Sequence, residues 1–144
     1  MKINNVFTRL LVPAAVMGLA LCSPVSADDD DTPLGKSMHQ ASKALKSLRK
    51  IEKNDWDAGA KAARSAADGI RKGMAYIPAL VEEMPDGMEK TKAIADYRRL
   101  MGLSYAALCE LELAYLEKDQ AKVDAAMKNV KAGKKEGHKK YEDD

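Results

Sequence analysis

Between residues 32 and 142 apolar side chains recur at spacings of three and four, and runs that alternate in the manner of a strand are almost absent. That period is the signature of amphipathic helices turning one stripe toward a core, so it confines the chain to an all-α fold. A first helix opens at Thr32-Pro33, an N-cap followed by proline in the first turn. It carries Leu34, Met38, Ala41, Leu45 and Leu48 on one stripe and stops near Lys53-Asn54-Asp55. A second starts around Asp55 and runs through WDAGAKAARSAADGIRKGMAYI, with Ala63, Ala66, Ala67, Ile70, Met74 and Ile77 inward. So many small inward residues let neighbouring helices approach closely. Pro78 and Pro85 bracket PALVEEMP, the most loop-like stretch, because proline disfavours a continuing helix. Asp86 with Glu89 has the form of a capping box for a third helix, which reaches about Glu117 and carries Ile94, Tyr97, Met101, Leu108, Leu111 and Tyr115. Asp119 can cap a fourth, with Val123, Met127, Val130, Lys134, His138 and Tyr141 at helical spacing. Four such helices with mostly short links predict a single-domain, antiparallel up-down-up-down four-helix bundle.

The opening stretch MKINNVFTRLLVPAAVMGLALCSPVSA reads differently. Lys2 and Arg9 precede an apolar run from Leu10 to Leu21 and the small-residue site Val25-Ser26-Ala27, the order of a secretory signal peptide covering residues 1–27. The run is shorter than the roughly 20 residues a membrane span needs, so no membrane insertion of the mature chain is expected. Cys22 follows a bulky leucine, which suits lipoprotein processing poorly. The bundle is then assigned to residues 28–144, opening on the acidic tract 28–31, a solvated terminus. The whole chain holds 24 basic and 22 acidic side chains, and removal of Lys2 and Arg9 balances the two. A neutral balance gives no footing for nucleic acid. Cys109 is the one cysteine left, so an internal disulfide is excluded and stability must come from packing or a bound group.

In an up-down-up-down bundle the start of the first helix and the end of the last share a layer. Met38 lies about 8 Å along the first helix and His138 about 5 Å from the end of the fourth, at ~1.5 Å per residue. Cys109, about 30 Å along the third helix, belongs near the other end. A thioether and an imidazole meeting across one slice of core fit the axial pair of a haem iron. The plainer reading stands beside it: methionine is a common core filler, and a terminal histidine is more often a surface residue. Gly133 and Gly137, each about 1 kcal/mol less favourable than alanine inside a helix, point to close approach by something flat, or to a frayed last turn. Met74, Met84 and Met88 are expected at the same end. Lys131, Lys134, Lys135, Lys139 and Lys140 suit the negative end of the helix dipole and could also pair with haem propionates. His39 lies about 100° around the helix from Met38 and reads as a rim residue.

With its methionine in SMHQASKALKSLRKIEKND, its proline-bounded link between the second and third helices and its closing EGHKKYE, the chain resembles the cytochrome b562 family over essentially the whole mature region. The resemblance implies one non-covalent haem b per chain, Met38 and His138 as axial ligands, and a periplasmic electron carrier working with a redox protein partner as a monomer or weak dimer. The absence of a Cys-x-x-Cys-His motif excludes covalent c-type attachment. Two other readings stay open: a haem-free helical interaction or stress protein of the envelope, and a copper or other soft-metal binder using methionines with His39 or His138. No nucleophile-base constellation is present, so the chain is not expected to be an enzyme.

Overall fold

The computed structural model describes residues 31–141. The signal peptide assigned to residues 1–27, Cys22 and residues 28–30 of the acidic tract lie outside the described residues. Within them the protein is all-helical: α1 (Pro33–Ser47), extended by a 3-10 turn at Leu48–Lys50, α2 (Trp56–Gly73), α3 (Ala79–Glu82), α4 (Met88–Leu116) and α5 (Gln120–Tyr141). No described helix is long and apolar enough to cross a membrane.

Local chemistry sets most of the helix ends. The Gly35 amide donates to Thr32 Oγ1 (2.8 Å) and Pro33 stands at the start of α1. The Ala58 amide donates to Asp55 Oδ1 (3.1 Å), and the Lys122 amide to Asp119 Oδ1 (3.1 Å). Each oxygen satisfies an amide that the first helical turn leaves unpaired. The expected capping box before α4 does not form. Its N-cap is Gly87 at φ +152°, a conformation side chains disfavour, and Asp86 instead takes Lys90 Nζ at 3.1 Å. Nor is PALVEEMP purely a loop, because Pro78 serves as the N-cap of the single-turn α3, where a missing amide does no harm.

The long helices pack α1 on α2, α2 on α4 and α4 on α5. Each pair runs antiparallel. Gly73 of α2 meets Leu34 and Met38, while Gly69 meets Ser37 and Ala41. Arg64 pairs with Glu112, and Gly73 also lies under Met101. At the α4–α5 contact Gly133 faces Ser104 and Lys140 reaches Asp96. By contrast, α1 and α5 have no extensive contact with each other.

The continuous core gathers Ala44, the α2 alanines 63, 66 and 67, Ala107, Leu108, Leu111 and Ala114 of α4, and Val123, Ala126 and Val130 of α5. Small α2 residues bring its backbone close to α4, and the fully buried Leu108 and Leu111 fill the space between. This cluster lies toward the α4–α5 link. It includes neither Met38 nor the Tyr97–Met101 turn of α4. On α1 the buried residues are Ser37, Ala41 and Ala44, and the larger Leu34, Met38, Leu45 and Leu48 are half-buried beside them.

Candidate functional site

Antiparallel pairing carries the start of α1, the end of α2, the early part of α4 and the end of α5 to one end of the molecule. Met38 Cε rests against the face of Gly73 where a Cβ would stand, and Met101 Cε and Leu34 Cδ1 converge on the same spot, 3.1 and 3.3 Å from that position. One turn back along α4, Tyr97 makes an edge-on contact with Tyr141 of α5, ring centroids 5.3 Å apart. His138 lies three residues before Tyr141, less than a turn away. The two residues singled out from the sequence thus sit at the same end, on the two outer helices, with Met38 half-buried and His138 exposed.

A polar clamp holds this end of α5 to α4. Asp96 accepts from Lys140 Nζ (2.9 Å), from Arg99 (2.8 and 3.0 Å) and from the Tyr141 hydroxyl (2.9 Å). Donation first by Lys140, then by Arg99 and Tyr141, holds the carboxyl well below the usual carboxylate range. A depressed folded value means that Asp96 contributes stability at pH values above the unfolded-state pKa of about 3.9, and that this contribution is lost as pH falls below it. Asp96→Asn should therefore speed amide exchange in the last turn of α5 at pH 7. The difference from the unmodified protein should shrink steadily as the exchange is measured below about pH 4.

Tyr97 is 6% exposed, and its hydroxyl is buried without a hydrogen-bond partner. Burial pushes its pKa up to about 12, so the phenol stays a neutral donor. Periodicity marks Tyr97 as a core residue, and nothing in the sequence distinguishes it from a phenylalanine.

Gly133 is accounted for by the protein itself, since a Cβ there would come 3.2 Å from Ser104 Oγ on α4, whereas a Cβ on Gly137 would meet nothing within 4 Å. Lys140 is committed to Asp96 and Glu136. Lys131, Lys134, Lys135 and Lys139 are exposed along α5. His39 is exposed on α1 beside Ser42 and Lys43. Met88 is largely exposed, Met74 directly follows Gly73 at this end, and Met101 joins Met38 at the face of Gly73. Cys109 packs against the core cluster, away from Met38. Among the described residues no three His, Cys, Asp or Glu side chains gather as a metal site.

The residues at this end fit a flat apolar group with polar substituents. A soft thioether and an imidazole stand on two helices without extensive contact with each other, a Cβ on Gly137 would meet nothing within 4 Å, and the buried Tyr97 hydroxyl has no hydrogen-bond partner. No family model, curated protein or solved structure matches the chain.

Proposed function

We propose that this chain is an exported haem-b electron carrier, an up-down-up-down four-helix bundle similar to the cytochrome b562 family. It would work in the periplasm with Met38 and His138 as the axial ligands of one non-covalent haem. The observation that supports this reading is that antiparallel pairing brings the start of α1 and the end of α5 to the same end of the molecule, the end that the core cluster leaves out, without extensive contact between those two helices. A haem bound there supplies one-electron chemistry at its iron. Met38, whose methyl rests on Gly73 near that of Met101, would offer a neutral sulfur, a ligand type that favours the reduced metal and raises the potential. His138 offers an imidazole nitrogen from the opposite helix. Tyr97 and Met101, both buried, keep water from the inner wall. Met38 and His138 would together hold the iron through protein ligands, and the chemistry such a group would supply is one-electron transfer. The exposed lysines of α5 form a positive face suited to steering an acidic redox partner toward a monomer or weak dimer.

Titrating the purified protein with haemin should give one equivalent bound and a six-coordinate low-spin spectrum whose bands sharpen on reduction. A colourless protein whose thermal midpoint ignores haemin would favour the second reading, a haem-free envelope helical protein. The exposure of His138 and the fit of Gly133 to Ser104 speak for that alternative.

A further inference from the structure

The Tyr97 hydroxyl is hard to explain as part of a finished core. A phenylalanine would fill the same volume and make the same edge-on contact with Tyr141, without stranding a buried donor, an arrangement folded proteins rarely keep. The adjacent carboxylate does not rescue it, because Asp96 is already engaged by Lys140, Arg99 and Tyr141. Position narrows what the donor serves. Met101, one turn further along α4, is the residue that meets Met38 at Gly73. Aromatic side chains on a helix lean toward its N-terminus, so the Tyr97 ring leans from that layer toward the outer end of the molecule.

We infer that Tyr97 recognises the group bound between α1 and α5 by donating a hydrogen bond from its hydroxyl to a carboxylate on the rim of that group. The inference rests on the haem reading and sharpens it. The four ring nitrogens of a haem b are occupied by iron, and its peripheral substituents other than the two propionates are apolar, so a propionate is the acceptor such a ligand offers. The phenol costs the protein stability when it is empty and adds affinity when it is loaded. A residue that merely packs would do neither.

The test compares the unmodified protein with Tyr97→Phe in three measurements: thermal midpoint without haemin, affinity for haemin, and affinity for haemin dimethyl ester, whose carboxylates are blocked. The midpoint without haemin should rise by about 4 °C. Haemin should bind the variant about tenfold more weakly, and the ester should bind both proteins alike. Equal haemin affinity in the two proteins overturns the inference. So does an equal loss with the ester, which would assign the hydroxyl to something other than a carboxylate, and so does a midpoint that fails to rise, which would mean the hydroxyl is satisfied within the protein. Failure of the unmodified protein to bind haemin at all would instead remove the haem reading, and this inference with it.

Discussion

His138→Ala should weaken haemin binding on the order of a hundredfold, about 2.7 kcal/mol, while Met38→Ala keeps haemin but changes its iron. The asymmetry follows from ligand chemistry. Imidazole is a strong donor to both ferric and ferrous iron, whereas a thioether is weak and discriminates in favour of the ferrous state. Without His138 the protein keeps only the weaker ligand. Without Met38 the iron stays bound through imidazole, one axial position opens, and added cyanide or imidazole should bind there. The midpoint potential should fall by on the order of 100 mV, since axial ligands are a main lever on haem potential. Absorption spectra with a redox titration of the two variants read all of these effects. His39→Ala serves as the control: exposed on α1 beside Ser42 and Lys43, it should change neither spectrum nor potential. A spectrum unchanged in Met38→Ala removes Met38 from the iron, and one lost in His39→Ala gives the role to its neighbour.

Periodicity and capping carried most of the helical reading, because both are local. Thr32, Asp55 and Asp119 cap as their side chains dictate, and each needs only its own next turn. Where the sequence reading failed, the deciding term was an interaction with something distant or a backbone state that residue type only permits. The periodic pattern carries the second helix to Ile77, yet it ends at Gly73: Pro78 has no amide to donate to the Met74 carbonyl and biases Ile77 toward an extended backbone. Gly87 took the cap from Asp86 by adopting φ +152°. The periodic stripe of α1 runs through Leu34, Met38, Ala41, Leu45 and Leu48; Ala41 is buried, but the other buried residues are Ser37 and Ala44, and the large members are half-buried. Helical spacing fixes a face only to within a residue, and the glycines of α2 pull the small residues of α1 into contact. Met38 was legible as a rung of that stripe. Its partner Met101 was not, because which methionine meets which depends on the register of three helices. The orphaned Tyr97 hydroxyl is a property of its surroundings and is invisible in a one-dimensional pattern.

The register that seats Met38 depends on Gly69, and replacing that glycine should cost more than any change of helix propensity can return. A Cβ at residue 69 would lie 2.8 Å from Ala41 N and 2.8 Å from Ser37 O, both backbone atoms of α1. No rotamer change relieves contacts with backbone, so α1 must move bodily. Gly69→Ala gains about 1 kcal/mol of helix propensity against an overpacking penalty of about 1–3 kcal/mol, for a net loss. Gly69→Leu, with a whole side chain to house, should lose about 3 kcal/mol, read as a fall in the urea midpoint at unchanged slope. Gly137→Ala isolates the propensity effect, because nothing lies within 4 Å of the added methyl, and it should raise the midpoint by up to about 1 kcal/mol in the absence of haemin. A stabilised Gly69→Ala would show that α1 yields freely against α2. In that case Met38, seated one turn away on Gly73, would have no fixed place from which to reach an iron. A destabilised Gly69→Leu that still folds should also bind haemin more weakly, because the displacement of α1 moves the thioether while His138, on a helix without extensive contact with α1 or α2, stays where it was.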